Sequence, residues 1–504
     1  MKMRMVTSLL TALVISTPVY AAQGNAENGK KVYEKRCAWC HGWEGAGDGP
    51  AAERLNPPPR DFTSAMYKIK TTPFDEMLPN EEDVFRMINE GMPDTSMPGW
   101  TDILSEQERW DLVAYVMKFG GLEGKPAKQL DFSKQVKSSK ESIERGKKLF
   151  IDRCAECHGE IGLGDSIKKL KDDLGFRTWP RNLSKPWSFR ASNDPKDIFA
   201  RVSVGIPGTQ MPNFTDPNSK KKMTDEERWD VANFVASLAD ETKTVRAENT
   251  VVKALRADGE LPVEPTDPKW KDAEPSSFLL VGQIIGEERF FTPSNNSITA
   301  RAFYNDKDIS ILLEWDDRTK SIPGDEKAAE IAEGEVSNDA VALQFPTKIP
   351  EEMEKPYFGH GDSAKPVNIW FWQGEGKDTP QILKLLDTTG FKNKEERDAA
   401  KSGLTAKGVY DKGTWRVVMK RPLVTGEKDK DIQFVEGKFI PLAFAAWDGT
   451  NGEKGSKHTM TTWYWILLQP KTGMNIYFIP LIVAGVIVGA QLVWLASARK
   501  KKSS

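Results

Sequence analysis

Cys37-Ala38-Trp39-Cys40-His41 and Cys154-Ala155-Glu156-Cys157-His158 hold all four cysteines and two of the four histidines of this 504-residue chain. Two thiols separated by two residues and followed directly by an imidazole suit covalent capture of a haem. Each thiol adds to a vinyl group, and the adjacent histidine is placed to ligate the iron. One copy alone also fits a redox dithiol or half of a four-cysteine zinc site. Two copies, 117 residues apart (Cys37 to Cys154), that consume every cysteine favour haem. Each is followed by a Met-Pro pair, Met97-Pro98 and Met211-Pro212. A thioether opposite an imidazole gives a low-spin iron of raised potential.

The segments that must position these residues repeat with them. Glu27–Tyr33 matches Glu144–Phe150, Gly91–Pro98 matches Gly205–Pro212, and Ser105–Asp111 matches Thr224–Asp230. Ser105 with Glu108, and Thr224 with Glu227, have capping-box spacing, so each pair opens a helix. Trp110, Val113 and Met117 then share one stripe of the first helix. These are two homologous modules, 24–120 and 141–240, helical at both ends and joined by a linker at 121–140.

Both modules resemble class I cytochromes c. The resemblance implies an N-terminal helix (Gly29 and Tyr33; Gly146 and Phe150) crossing a C-terminal one (Trp110; Trp229). It implies two covalent haem c groups, on Cys37 and Cys40 and on Cys154 and Cys157. By position the axial ligands are His41 with Met97 and His158 with Met211. Met92 competes with Met97, but its counterpart in the second module is Ile206. Both irons would be six-coordinate, which favours electron transfer over peroxidase or oxygen chemistry. Pro59-Arg60 and Pro180-Arg181 follow each motif. There a proline carbonyl can accept from the ligating histidine and Arg60 and Arg181 can meet haem propionates, or these are ordinary loop residues.

Lys+Arg is 71 and Asp+Glu is 73, a net charge of −2, which excludes a polybasic nucleic-acid binder. Residues 1–21 read as a secretory signal, with Lys2 and Arg4 ahead of an apolar run. Residues 476–498 carry no charge and read as a transmembrane helix, followed by a basic tail at 499–504. The positive-inside rule puts that tail in the cytoplasm. The expected location is the periplasmic side of the cytoplasmic membrane, anchored in lipid by one helix.

After a proline-containing linker at 241–268 the texture changes to short apolar or alternating runs, among them Ile298–Tyr304, Ile309–Trp315, Val367–Trp372 and Phe439–Trp447. About eight such runs between turn residues predict an all-β sandwich over 269–470. Residues 325–337 and 393–403 read as helical excursions. The fold class expected is therefore multidomain: two all-α cytochrome c domains, an all-β sandwich and one transmembrane helix.

The last two histidines, His360 and His458, lie in the β region. A lone histidine is more often structural than a ligand. However, Asp267–Trp270, Pro366–Trp372, Trp447–Gly452 and Thr462-Trp463-Tyr464 resemble, in order and spacing, the haem b (gamma) subunits of type II dimethyl sulfoxide reductase-family molybdenum enzymes. Ethylbenzene dehydrogenase, chlorate and selenate reductases and some nitrate reductases or nitrite oxidoreductases belong there. The resemblance implies a haem b held by a Met and a Lys. By position these match His360 and His458, with Lys457 one residue off. This sequence departs from that pattern and implies a bis-histidine haem b, with His360 and Lys457 as the alternative pair. Lys457 could instead meet a propionate.

The resemblance also implies a molybdenum catalytic subunit and an iron–sulfur subunit as partners. No cysteine remains here for clusters, so those centres belong to other chains. The chain reads as an electron-transfer subunit without a catalytic site. It would exchange electrons with a soluble cytochrome c, a quinone or another cytochrome, and the three haems lean towards an oxidising complex such as a nitrite oxidoreductase. The alternative is a dihaem cytochrome whose sandwich is a haem-free docking or ligand-binding module.

Overall fold

A computed structural model describes residues 24–502, apart from 56, 77, 94, 122–126, 240–248, 333, 352–353 and 471–474. The signal expected at 1–21 lies outside the described residues. Two compact units divide the chain, Met1–Gly162 with Lys169–Ala239, and Leu163–Lys168 with Asp240–Ser504.

The first unit holds α1 (Ala26–Arg36), α2 (Ala38–His41), α3 (Glu81–Glu90), α4 (Glu106–Phe119), α5 (Lys140–Arg153), α6 (Ala155–His158), α7 (Pro195–Val204) and α8 (Asp225–Ser237). A small hairpin, β1 (Leu170–Lys171) and β2 (Arg177–Thr178), follows α6. Both expected capping boxes form, at Ser105/Glu108 and Thr224/Glu227. In each module the first helix crosses the last at a glycine. A Cβ on Gly29 would sit 1.9 Å from the Asp111 carbonyl oxygen, and one on Gly146 would sit 2.0 Å from that of Asp230. Only glycine permits backbones this close. Tyr33 and Phe150 are buried beside the crossings, and burial of such rings contributes roughly 1.5–3 kcal/mol each.

The second unit is built from β3 (Val251–Arg256), β4 (Ser276–Leu279), β5 (Val281–Gly282), β6 (Ser297–Tyr304), β7 (Asp308–Asp316), β8 (Ala340–Pro346), β9 (Val367–Gln373), β10 (Ile382–Thr388), β11 (Lys394–Arg397), β12 (Thr405–Asp411), β13 (Thr414–Pro422), β14 (Phe439–Trp447), β15 (Thr459–Met460) and β16 (Tyr464–Leu468). The main path runs β11-β10-β9-β8-β14-β16-β3-β6-β7-β13-β12. Strand β14 joins its two halves, pairing β16 through residues 439–442 and β8 through 443–447. The inner faces of the halves close over one core that includes Trp315, Trp370, Trp372 and Trp415.

Three readings change. Residues 241–268 are not all linker, because β3 lies there and pairs in parallel with both β16 and β6. The stretch 393–403 is not a helix but strand β11 followed by a 3-10 turn at Ala399–Ser402, whereas 325–337 does contain helix α9 (Glu326–Ile331). The transmembrane helix expected at 476–498 is not supported. The segment lies in helix α10 (Asn475–Lys502), interrupted in composition by Pro480, but among the described residues no helix is long and apolar enough to cross a membrane. The lipid anchor expected through this helix falls with it.

Candidate functional site

Each cysteine motif is a helix end followed by a one-turn helix. Cys37 caps α1 and opens α2; Cys154 does the same between α5 and α6. The turn brings Cys37, Cys40 and His41 to one side of the chain, and its copy does so for Cys154, Cys157 and His158. Neither pair is joined as a disulfide. Burial pushes the thiols of Cys37 and Cys154 up to about 12, so both are held as neutral thiols.

His41 Nδ1 lies 3.0 Å from the Arg60 carbonyl oxygen. A carbonyl only accepts, so Nδ1 carries the proton and Nε2 keeps its lone pair. The acceptor is thus the residue after Pro59, not the proline carbonyl itself. In the second module the Arg181 backbone acts on His158, but the buried His158 Nδ1 makes no hydrogen bond. Burial lowers the pKa of both imidazoles, which keeps them neutral and able to ligate. Phe62 stacks on His41 at 4.6 Å, a neighbour that no motif pointed to.

The Met97 and Met211 loops are the same turn built twice. Met92 N–H donates to Met97 O, and Ile206 N–H to Met211 O. The Thr95 and Thr209 hydroxyls receive the Met97 and Met211 N–H at 3.1 and 3.2 Å. Gly91 (φ 69°) and Gly205 (φ 72°) open the turns in the left-handed region, pressed against the Met-Pro backbone. Met92 therefore matches Ile206 in structure as well as in sequence.

In the β unit, His360 and His458 come from distant loops, near enough for a charge on His458 to act on His360. His360 has φ 69°, strained for a residue with a Cβ, and three hydrogen bonds around it hold the turn. Its carbonyl accepts from Thr388 Oγ1 and Gly390 N–H, and Gly361 N–H closes onto Tyr357 O. Its ring lies 4.9 Å from Phe391, and its buried Nδ1 has no hydrogen-bond partner. His458 stacks on Trp447 at 4.7 Å, with Nδ1 3.1 Å from the Gly455 carbonyl, which leaves the Nε2 lone pair able to meet a metal. Burial, with Lys394 adding to it, pushes His360 down to about 3 and His458 to about 4. Lys457, the alternative ligand, instead pairs with Glu288 at 2.8 Å.

The histidine loops border the outer face of the β10-β9-β8-β14 half. Strand register places Leu386, Ile369, Gln344 and Ala443 in one row, and Phe371, Ala342, Ala445 and Met460 in the next. Ala342, Ala443 and Ala445 give this face a low floor between taller apolar residues. Trp463 and Phe358 pack on the same cluster. Gln344 Nε2 donates to Phe358 O and Trp463 Nε1 to Pro356 O, which ties the His360 loop to the sheet. A flat apolar ring with a metal at its centre fits such a cradle, edged by two neutral imidazoles. Periodicity did not reveal this floor, because Phe439–Trp447 is apolar on both faces.

Comparison with known proteins agrees domain by domain. The cytochrome c family matches residues 26–119 and 143–239, and the ethylbenzene dehydrogenase family matches 267–406 and 385–459. The chain joins two cytochrome c domains to one ethylbenzene dehydrogenase-type domain. Two cytochrome c domains make it a multihaem electron-transfer chain. A protein of Haloferax mediterranei named as a respiratory nitrate reductase heme subunit is 25% identical over 51% of this chain and 87% of its own. The chlorate reductase gamma subunit of Ideonella dechloratans is 26% identical over 43% and 84%. The dimethylsulfide dehydrogenase gamma subunit of Rhodovulum sulfidophilum is 28% identical over 40% and 64%.

Proposed function

We propose that this chain is the haem-bearing electron-transfer subunit of a molybdenum oxidoreductase, exported from the cytoplasm, with two c haems and one b haem. The observation that carries the b haem is the meeting of His360 and His458 over the alanine-floored outer face. When bound, the haems supply one-electron chemistry at low-spin iron.

The chain's own residues set the conditions for it. Cys37 and Cys40, and Cys154 and Cys157, tether the c haems. His41 with Met97, and His158 with Met211, are their axial ligands, and the Arg60 carbonyl orients His41. The side chains of Arg60 and Arg181 would meet propionates. His360 and His458 hold the b haem through nitrogens kept neutral by burial, and Lys394, which acts on both, is the cation for a propionate of that haem. Lys457 stays with Glu288 and is not a ligand.

The gamma and haem subunits among the relatives support catalysis on a partner molybdenum chain with its iron–sulfur subunit. A soluble cytochrome c or quinone-linked cytochrome would be the other electron partner. The signal-like sequence of 1–21 and the two Cys-x-x-Cys-His motifs support an extracytoplasmic location.

The test is a pyridine haemochrome spectrum of the intact chain purified with its native partners. A b:c ratio near 1:2 is expected, and His360→Ala and His458→Ala each remove only the b component. A spectrum of c haem alone, from protein that was never stripped, would overturn the b-haem assignment and leave the β-domain as a docking module.

A further inference from the structure

Four carboxyl groups meet among the loops at strand ends of the β unit. Asp317 follows β7, Asp339 precedes β8, and Asp448 follows β14. One oxygen from each of these three lies within 4.8 Å of the others, and all three residues are buried. Glu453, fully buried, accepts the Asp448 N–H with Oε2 at 3.2 Å. Elsewhere in this unit a buried acid has a cation: Arg397 sits between Asp387 and Asp431, at 2.5 Å from each. The charges that weigh on Asp317 are instead Asp339, Asp448 and Glu453. After burial itself, each of them pushes its carboxyl further above the ordinary range. Burial and Asp448 likewise push Asp339 up to about 7 and Glu453 to about 8.

The oxygens are held by fixed donors. Asp339 accepts from the backbone of Gly449 and Ser321 and from Trp415 Nε1. Asp448 accepts from the backbone of Thr450 and Asn451 and from Ser294 Oγ. Asp317 accepts one bond, from Thr319 N–H. Its other oxygen, Oδ2, has no hydrogen-bond partner although the residue is only 3% exposed. A buried acid with an unpartnered oxygen, grouped with two further buried carboxyls, is costly in its charged form unless something positive completes the set.

We propose that Asp317, Asp339 and Asp448 bind one Ca2+ ion, which pins the loop leading from β14 to His458. Every donor on the three carboxylates is a hard oxygen, and the hydroxyls of Thr319 and Thr450, 2.9 Å apart, stand beside them. Ca2+ takes six to eight oxygens at about 2.3–2.6 Å in flexible geometry, so one ion reaches oxygens up to about 5 Å apart. Mg2+ demands a tighter octahedron and retains its waters, which a buried site does not accommodate. Strand β7 belongs to one half of the sheet, and β8 and the end of β14 that pairs with it to the other, so the ion would cross-link both halves. It would also fix the start of the segment 448–458, whose last residue is His458. The site is argued from the carboxylates alone and does not depend on the haem assignment.

The full chain is stripped with EGTA, exchanged into metal-free buffer, and followed by calcium analysis, thermal unfolding and hydrogen exchange over 448–458. Before stripping, about one Ca2+ per chain is expected. Stripping should lower Tm by about 5 °C, the scale on which a tight ligand stabilises a domain, and speed exchange in the loop. CaCl2 should restore both, and MgCl2 neither. Asp317→Asn keeps the acceptor for Thr319 N–H but should lose calcium retention and the calcium response. The proposal is overturned if the unstripped chain holds no calcium and CaCl2 moves neither readout. It is equally overturned if Asp317→Asn responds to calcium as the wild type does. A Tm rise in Asp317→Asn without any calcium effect in either protein would also overturn it and mark the cluster as metal-free acids whose repulsion the substitution relieves.

Discussion

Arg86 of the first cytochrome c domain grips Asp197 of the second with two parallel hydrogen bonds, Nη1 to Oδ1 and Nη2 to Oδ2, each 2.8 Å long. The fork-to-carboxylate geometry fixes orientation as well as distance. Arg201 adds to the same contact by donating to the carbonyls of Lys68 and Lys70. The two cytochrome c modules are thereby held together by side-chain contacts within one compact unit.

Arg86→Ala should destabilise this unit by about 1.5–3 kcal/mol, the range for hydrogen bonds to charged groups, because Asp197 is left mostly buried. Denaturant unfolding followed at the haem c Soret band measures it. Burial raises the Asp197 carboxyl, but the bonds from Arg86 and Ser192 outweigh it and hold the pKa below the ordinary 3.8. An acid whose folded pKa is depressed contributes stability above its unfolded pKa and loses it as pH falls through the folded value. The gap between wild type and Arg86→Ala should therefore be full at pH 7 and shrink below about pH 3.8. A gap unchanged at pH 3 would show that the ion pair is not its source.

Lys457 next to His458 tests which residue completes the b-haem pair. Its ammonium is held by Glu288 at 2.8 Å and is partly exposed, whereas the His458 ring is buried against Trp447. Lys457→Ala should retain the b component in full and change stability by less than about 1 kcal/mol, as exposed ion pairs do. Loss of the b signal in this variant, with His458 intact, would assign the ligand to Lys457.

Much of the local geometry around the cysteine motifs was legible because it acts over short distances. A thiol pair, a histidine and a capping box act over a few residues, and the 117-residue repeat doubled every signal. What sequence missed is set by carbonyl direction and by sheet register. Whether Pro59 or Arg60 presents its carbonyl to His41 depends on the path of the loop, which composition does not encode. Strand β3 is short and lies next to a proline-containing, charged stretch. Strand β10, Ile-Leu-Lys-Leu-Leu-Asp-Thr, lacks clean alternation because its two faces meet different apolar surroundings. The outer cradle was hidden for the same reason in β14, which is apolar on both sides.

The helix crossing offers a sharper test than any surface pair. Gly146→Ala places a methyl about where the Asp230 carbonyl oxygen already stands, and Gly29→Ala does the same at Asp111. Neither neighbour can step aside, since both are helix backbone. Each variant should lose about 1–3 kcal/mol or more through overpacking. The loss should appear as a lower denaturation midpoint of the haem c domains, while the b-haem spectrum of the β unit stays unchanged. Equal stability of Gly29→Ala and the wild type would mean that the crossing is looser than the 1.9 Å approach requires.

The alanine floor gives the complementary test on the β unit. Ala342 and Ala445 face each other across β8 and β14 on the outer side of the sheet, away from the tryptophan core. Replacing either with leucine adds bulk where the porphyrin would lie, without entering the main core. Ala342→Leu and Ala445→Leu should fold, keep both c haems, and lose at least tenfold in b-haem retention during gel filtration against apomyoglobin as haem acceptor. The effect should exceed that of Ala446→Leu in haem selectivity. Ala446 points into the main core, so its enlargement should lower stability first and haem retention only as a consequence. Full b-haem retention in both outer-face variants would move the haem off this face and leave the two histidines as a pair without a floor.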